Sequence, residues 1–179
     1  MGPGYCRLMG DGSRVIVREA VASDAKGVAR VHVDSWRETY SGELDDRFFS
    51  DEVFERRLEF WTRYLSMEPR PGRMAVALRD GGIVGFANAG DAVGPDAEHG
   101  FAPVRPLHLF SIYLLASAHG TGSGQELLDS VVGKEPAQLW VLRGNARAIS
   151  FHKRNGFAFD GIEYTDSAAT NMVEQRMVR

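Results

Sequence analysis

Hydrophobic and polar positions along the chain follow two periodicities, and their order predicts an α/β fold. Short apolar runs rich in β-branched and aromatic residues predict strands, while apolar residues three or four positions apart predict amphipathic helices. The predicted strands cover residues 15–17, 74–78, 83–88, 108–115, 138–142, 157–164 and 172–178. The predicted helices cover residues 25–40, 51–65, 122–133 and 145–154. Arg79-Asp-Gly-Gly82 predicts a hairpin turn, and the last two strands predict a closing antiparallel pair.

Length and composition predict one domain. A chain of 179 residues, 44% of them hydrophobic, can bury a single core, which we assign to residues 14–179. Residues 1–13 are rich in glycine and lack the apolar core of a signal peptide, so we expect a flexible tail on a cytoplasmic protein. No run reaches the roughly 20 apolar residues that a membrane helix needs. Residues 91–106 form a predicted long loop, either functional or disordered.

Charge and cysteine content exclude several classes of function. The net charge is −3 and the chain has no block of Lys and Arg, which argues against nucleic acid as a partner. An acidic balance suits a cationic amine substrate, although only weakly. Cys6 is the single cysteine and lies in the tail, so neither a disulfide nor a cysteine metal site forms within the chain. No metal site is predicted.

A glycine-rich turn joins the predicted strand 108–115 to the predicted helix 122–133. Glycines at 120, 122 and 124 allow a sharp turn and leave the main-chain N–H groups uncovered. The N-terminus of a helix carries unpaired N–H donors and partial positive charge. This strand–turn–helix therefore predicts an anion site, most plausibly for phosphate.

We compare this turn with three known kinds of phosphate-binding loop. A nucleotide-triphosphate loop requires Gly-Lys-Ser/Thr at its end, but Gln125 and Glu126 follow Gly124. A dinucleotide fingerprint requires a third glycine where the chain has Gln125. The segment His119-Gly-Thr-Gly-Ser-Gly124 resembles the third kind, the Q/R-x-x-G-x-G/A pyrophosphate loop of acyl-CoA-dependent N-acyltransferases, with His in the Gln/Arg position.

A second segment makes this resemblance more specific. A short apolar strand precedes Asn145-Ala-Arg-Ala-Ile-Ser-Phe-His-Lys-Arg-Asn-Gly-Phe157, in which Asn145 is a good N-cap and Gly156 a good C-cap. The order N-x-x-A-x-x-F-x-x-x-x-G-F resembles the second acyl-CoA motif of the GNAT superfamily of N-acyltransferases. The matching residues are Asn145, Ala148, Phe151, Gly156 and Phe157, and His152 occupies the usual Tyr position. The resemblance covers roughly residues 14 to 179.

The resemblance implies a fold and a cofactor site. It implies the mixed, mostly antiparallel and strongly twisted sheet of that family, flanked by helices, with acetyl-CoA as co-substrate and no metal. The main chain of Ile112, Tyr113 and Leu114 is then expected to bind the pantetheine amides in the manner of an added strand. The remaining expected cofactor residues are His119, Gly120, Thr121, Gly122, Ser123, Gly124 and Gln125 at the pyrophosphate, and Asn145, Ala148, Phe151 and His152 in the second motif. Lys153 and Arg154 are candidates for the 3′-phosphate, although solvated helix charges are the more common explanation for such a pair.

The same resemblance suggests catalytic groups. His152 is the candidate acid for the departing thiolate, with Ser150 or a nearby Tyr as alternatives. His108 lies eleven residues before His119, where several family members have a Glu base, and strict alternation would place it on one face with Phe110, Ile112 and Leu114. A plain strand-end His explains it equally well. Glu43 and Asp91 are weaker candidates for the base.

The segment Ser35-Trp-Arg-Glu-Thr-Tyr40 resembles the S-W-x-x-T-Y segment at the acceptor end of bacterial GNAT proteins. Trp36 and Tyr40 share a helix face and are candidates to bind a cationic amine, with core packing as the alternative. The resemblance thus predicts an N-acetyltransferase acting by direct transfer to an amine on a small molecule or peptide. A GNAT-fold acyl-CoA-binding protein without catalysis and a nicotinamide-dependent oxidoreductase are the alternatives. Dimerisation is common in the family, but nothing in the sequence fixes it.

Overall fold

A computed structural model describes residues 14–93, 100–165 and 172–179 of the chain. The described residues form one seven-stranded sheet in the order β1-β2-β3-β4-β5-β7-β6. Its strands are β1 (Ile16–Glu19), β2 (Arg73–Arg79), β3 (Gly82–Asp91), β4 (Leu107–Leu114), β5 (Ala137–Leu142), β6 (Ala158–Thr165) and β7 (Val173–Val178). Every neighbouring pair is antiparallel except β4 and β5, which are parallel. The predicted mixed, mostly antiparallel sheet is confirmed.

Within the described residues four α-helices flank this sheet, and local sequence explains where three of them begin. They are α1 (Ala25–Tyr40), α2 (Asp51–Leu65), α3 (Ser123–Val131) and α4 (Ala146–Arg154). Ser50 caps α2 by accepting a hydrogen bond from the Val53 N–H at 3.4 Å, and Asn145 caps α4. Gly122 precedes α3 in the left-handed conformation, at φ +89°. Short 3₁₀ segments at Ala22–Asp24, Asp46–Phe49 and Ala116–Ala118 were not predicted from the sequence.

Two hydrophobic clusters lie on opposite faces of the sheet. Alternation along β2 separates them, because Met74 and Val76 pack with α1 and α2 while Ala75 and Ala77 pack with α3. The α1–α2 cluster is rich in large and aromatic side chains, whereas alanines on the α3 side allow that helix to lie close to the sheet. The helices are therefore divided between the two faces as their apolar stripes require.

Some of the predicted features lie outside the residues that the structure describes. The expected tail at residues 1–13 and the middle of the expected loop at 94–99 lie outside them. Within the described ranges, no helix is long and apolar enough to cross a membrane. The cytoplasmic location stays a prediction. The sheet is largely antiparallel, whereas the doubly wound sheet that binds dinucleotides is parallel. The structure therefore contradicts the fold that the oxidoreductase hypothesis requires.

Candidate active site

A gap opens where β4 and β5 separate. These two strands pair only at Leu107↔Ala137 and His108↔Gln138. Beyond that point β4 continues to Leu114 and pairs with β3 alone. Within the described part of the chain, the edge of β4 that faces β5 is thus without a strand partner over residues 109–114. Its main-chain N–H and C=O groups are available to an extended ligand.

A β-bulge interrupts β4 just inside the gap. Ser111 pairs with Asn88, but the next paired residue is Leu109 opposite Ala89, so Phe110 is the extra residue. The bulge changes which side chains share a face. Ile112 and Leu114 pack on the α3 side, while the side chain of Tyr113 packs against the α1–α2 cluster.

The expected common face of His108, Phe110, Ile112 and Leu114 is therefore wrong. His108 stacks on Phe110 with 4.9 Å between ring centroids, and Phe110 lines a cavity beside α2. His108 is only 2% exposed, and Gln138 Nε2 lies 3.4 Å from the His108 Nδ1. An imidazole so placed has little access to an incoming amine, although the assignment of a base stays a prediction.

The glycine turn after β4 presents its backbone to open space. Gly120 and Gly122 adopt φ values of +75° and +89°, and a Cβ added to either would meet no atom within 4 Å. Only glycine adopts such angles without strain. The Gln125 and Glu126 N–H groups both bond to the Gly122 carbonyl, which starts α3. The N–H of Gly124 lies before these first intrahelical bonds, where a helix attracts anions.

Two hydroxyl groups shape this turn from inside the protein. Thr121 Oγ1 donates to the Ala118 carbonyl at 2.8 Å and lies 2.6 Å from Ser123 Oγ. Ser123 is buried, and its hydroxyl stabilises the loop through this contact with Thr121. Gln125 is exposed and bonds to Asp129 at 3.0 Å along the helix. These polar side chains are thus engaged within the protein.

The floor of the gap is formed by residues from three elements. A Cβ on Gly124 would lie 3.5 Å from Phe151 Cε2 and 3.7 Å from Leu114 Cδ1. Ile112, Ala148 and Phe151 are partly buried against the same hydrophobic cluster. The start of α3, the end of β4 and one face of α4 therefore converge on the gap.

His119 connects the glycine turn to β4 and α4. Its Nε2 lies 3.2 Å from the Leu114 carbonyl, and Arg147 Nη1 contacts its Nδ1. Burial lowers the pKa of His119, and the charge of Arg147 lowers it further. The imidazole is therefore neutral at neutral pH, with Nε2–H donating to Leu114 and Nδ1 accepting from Arg147. An arginine thus stands beside the glycine turn.

Asn145 is fully engaged within the protein. Its Oδ1 accepts from the Ala148 N–H at 3.1 Å, which caps α4. Its Nδ2 donates to Tyr40 Oη at 2.9 Å. Burial raises the pKa of Tyr40 to about 12, so its hydroxyl stays protonated and keeps its own proton available to donate.

His152 is buried beneath α4. It is 4% exposed, and its ring lies edge-on to Phe151 and Phe157 at centroid distances of 5.3 and 5.7 Å. Burial lowers the pKa of His152 to about 4. Among the described residues no hydrogen-bond partner meets its buried Nδ1. At neutral pH this side chain is a neutral imidazole, which is a weak proton donor.

A cavity of about 730 Å³ lies on the α1–α2 side of the sheet. It extends from Arg70 and Gly72 to Phe110 and Ser111, so it reaches the bulge in β4. One of its walls is the face of α2 formed by residues at i, i+4 and i+7, namely Arg57, Trp61 and Tyr64. A volume of this size is typical of small-molecule sites.

Comparison with known proteins identifies the family. The model of the Acetyltransferase (GNAT) family matches residues 29–157, which include the gap, the glycine turn and α4. The chain belongs to the GNAT acetyltransferase family.

Two curated proteins are similar to this GNAT chain over most of their length. "Probable N-acetyltransferase Rv2775" of Mycobacterium tuberculosis is 27% identical over 157 residues, which cover 86% of this chain and 85% of that protein. "Uncharacterized N-acetyltransferase YuaI" of Bacillus subtilis is 32% identical over 147 residues, covering 76% and 77%. Both names are those of N-acetyltransferases, and neither gives an acceptor.

Solved GNAT structures share the fold at lower identity. PaiA N-acetyltransferase of Thermoplasma acidophilum, solved in complex with coenzyme A, aligns with a TM-score of 0.65 and 19% identity over 90% of this chain and 97% of its own. YncA of Salmonella typhimurium, solved with its cofactor acetyl-CoA, aligns with a TM-score of 0.62 and 17% identity over 93% and 94%. These likenesses show the GNAT fold.

The GNAT fold brings most predicted cofactor residues together around the gap. They are Ile112 and Leu114 on β4, His119 to Gly124 in the turn, and Asn145, Ala148 and Phe151 at the start of α4. The side chains of Trp36 and Tyr40 pack edge to face at 5.4 Å and belong to the α1–α2 cluster. Neither ring lines the cavity, so core packing is the contact observed for both.

Sequence reasoning missed two arginines at this GNAT site. Arg147 lies two residues after Asn145, in the first turn of a helix whose N-terminus faces the gap. Arg57 occupies an inward position of α2, three residues after the buried Phe54 and four before the buried Trp61. A charged residue within an apolar stripe was the available signal for Arg57. Nothing in the sequence places Arg147 beside His119.

Proposed function

We propose that the protein is an N-acetyltransferase that transfers an acetyl group from acetyl-CoA directly to a primary amine. The observation that carries this proposal is the glycine turn, whose open backbone and left-handed glycines start α3 at the unpaired edge of β4. Ile112 to Leu114 would bind the pantetheine amides, and the N–H groups from Gly120 to Gly124 would bind the pyrophosphate. The expected His119 N–H instead donates to the Ala116 carbonyl at 3.1 Å. Family membership and relatives solved with coenzyme A or acetyl-CoA support the same donor.

The transfer requires one bond to form and one to break. The amine nitrogen attacks the thioester carbonyl carbon, so a C–N bond forms and the C–S bond breaks. The nitrogen loses a proton and the sulfur leaves as a thiolate that takes one up. Main-chain N–H groups of β4 would polarise the carbonyl. Cys6 is the only cysteine and precedes the family match, which favours direct attack over an acetyl-enzyme.

Tyr40 is a better candidate acid than His152. A thiol with a pKa near ~8.5 needs only modest help to leave. The Tyr40 hydroxyl stays protonated and accepts from Asn145 at the start of α4. His152 is a neutral imidazole at neutral pH and therefore a weak proton donor, because burial lowers its pKa to about 4. The base has candidates in His108 and in Asp91, which lines the cavity.

Two measurements test this proposal in turn. Calorimetric titration is expected to detect binding of acetyl-CoA and not of NADPH. Release of free CoA across a panel of amines is then expected to show turnover that depends on both substrates. Absence of acetyl-CoA binding would refute the proposed site. A homodimer stays a prediction, to be checked by light scattering.

One observation favours a second candidate function, an acyl-CoA-binding GNAT protein without catalysis. Three positions that the family resemblance assigns to functional groups carry histidine, and at 152 the imidazole is buried and neutral. Tight binding of acetyl-CoA without CoA release for any amine would support this candidate over the enzyme.

A further inference from the structure

We propose that the cavity beside α2 binds an oxyanion carried by the acceptor, so that the acceptor is an amine bearing a carboxylate or phosphate group. This inference rests on the proposed function, because it assigns the cavity to the amine substrate. Its central residue is Arg57.

Arg57 contributes a guanidinium to the lining of the cavity. It lines the cavity from α2 and is half-buried there. Its charge acts on His32 of α1 and on Tyr113 of β4, so the side chain extends towards the sheet rather than into solvent. Among the described residues no carboxylate forms an ion pair with it. Burial lowers its pKa, yet a guanidinium stays charged in proteins.

Two further donors line the same cavity. The Tyr64 hydroxyl oxygen accepts from Asn88 Nδ2 at 2.7 Å, which leaves its own proton free to be donated. Arg70 donates through Nη1 to the Ala20 carbonyl at 3.0 Å, while its buried Nε has no partner within the described ranges. Its nearest carboxylate is the exposed Glu19, at 3.8 Å.

Among the described residues, no ion pair joins the charged side chains that line the cavity to one another. Asp91 is the one carboxylate that lines it in the described part of the chain, and this residue is exposed at the end of β3. Arg73 also lines the cavity, but its guanidinium pairs with Glu135. Arg70 lies 3.8 Å from the exposed Glu19, so Arg57 is the lining arginine without an ion pair in the described ranges. A desolvated charge is costly unless a partner neutralises it, and a ligand oxyanion would supply that partner.

The cavity also reaches the proposed chemistry. Phe110 and Ser111 line it at the β4 bulge, immediately before the main-chain segment from Ile112 that would bind the donor. An amine anchored through its oxyanion at Arg57 would have its nitrogen directed towards that strand. The Arg57 guanidinium would repel a polyamine, even though the whole chain carries a net charge of −3.

Matched acceptors test the inference. Each amino acid of a panel is compared with its carboxamide and its decarboxylated amine, and phosphoethanolamine is compared with ethanolamine. We expect kcat/KM to be at least tenfold higher for oxyanion-bearing amines. Arg57→Gln should remove that preference by raising KM for those amines alone. Arg63→Gln, on the same helix but exposed and outside the cavity, is the matched control and should change nothing.

The two proposals fail differently. Equal use of the matched acceptors, or an equal loss for all of them in Arg57→Gln, would overturn the oxyanion site while leaving the acetyltransferase intact. If acetyl-CoA binds but no amine is acetylated, the proposed reaction fails. Ligand-observed NMR with N-acetyl amino acids and phosphoethanolamine on the CoA-bound protein then decides the site. Binding that Arg57→Gln abolishes supports it, and absent or unaltered binding refutes it.

Discussion

Asn145 donates a hydrogen bond to Tyr40 Oη at 2.9 Å and thereby joins residues 105 positions apart in the sequence. Tyr40 ends α1, and Asn145 begins α4. The bond spans the region where β4 and β5 diverge, because α1 packs on β3 and β4 while Asn145 follows β5. The acceptor-end segment and the second acyl-CoA motif are thus joined by a partly buried hydrogen bond.

Replacing Tyr40 by Phe removes the hydroxyl proton and preserves the ring. If that proton reaches the thiolate, we expect kcat to fall at least tenfold with little change in acetyl-CoA affinity, since acid catalysis contributes roughly 10² to 10⁴. His152→Phe is the comparison, in a position already surrounded by Phe151 and Phe157. We expect it to alter kcat less than Tyr40→Phe does. The reverse ranking in steady-state kinetics would return the acid role to His152.

Gly122→Val is expected to weaken acetyl-CoA binding at least tenfold. A side chain at φ +89° costs ~1–3 kcal/mol of strain, and a Cβ there would stand where the pyrophosphate approaches. Tenfold corresponds to ~1.4 kcal/mol. Calorimetry with acetyl-CoA and with dephospho-CoA measures the effect, which should be equal for both because each carries the pyrophosphate.

Gly161→Val is the matched control for this strain. Gly161 adopts φ +90° in β6, and a Cβ there also meets no atom within 4 Å. Its substitution should lower the melting temperature to a similar degree and leave acetyl-CoA affinity unchanged. Wild-type affinity in folded Gly122→Val would reject the loop assignment.

Arg147→Gln separates the two phosphate sites of coenzyme A. Arg147 contacts His119 beside the glycine turn, so we expect several-fold weaker binding of both CoA and dephospho-CoA, and a smaller effect at high salt. Lys153 and Arg154 are the candidates for the 3′-phosphate. A double Gln variant at these positions should weaken CoA alone. A loss confined to CoA in Arg147→Gln would move that arginine to the 3′-phosphate.

Buried histidines predict that the protein loses stability on mild acidification. Burial lowers the pKa of His32 to about 3 and that of His152 to about 4, whereas an unfolded histidine has a pKa near ~6.5. At pH values between the folded and the unfolded pKa, the unfolded state therefore binds more protons than the folded state does. Stability is therefore full above pH ~6.5 and falls as pH decreases, by about 2 kcal/mol per histidine at pH ~5.

Urea denaturation at several pH values measures this loss. His152→Phe should remove the part of this pH dependence that comes from protonation of His152. The difference in unfolding free energy between pH ~7.5 and ~5 should therefore shrink by about 2 kcal/mol. An unchanged pH dependence in this variant would show that His152 is accessible to protons in the folded state.

The sequence alone determined the order of elements and the glycine turn of this protein. Periodicity locates helices and strands because one face of each is buried, and local chemistry fixed the caps at Ser50 and Asn145. Glycines at 120 and 122 predicted a sharp turn in a backbone conformation that residues with side chains rarely adopt. The structure confirms the left-handed conformation of both. All of these features depend on residues close together in the chain.

Only the tertiary structure decided what surrounds the site. The bulge at Phe110 reverses the alternation of β4, and no local pattern predicts an extra residue that appears only when β4 pairs with β3. Burial turned His152 into a neutral side chain, because its pKa depends on packing around it. The contact of Arg147 with His119 and the position of Arg57 in the cavity likewise arise between distant segments. Charge and burial are properties of the assembled fold, and periodicity along one chain carries no information about them.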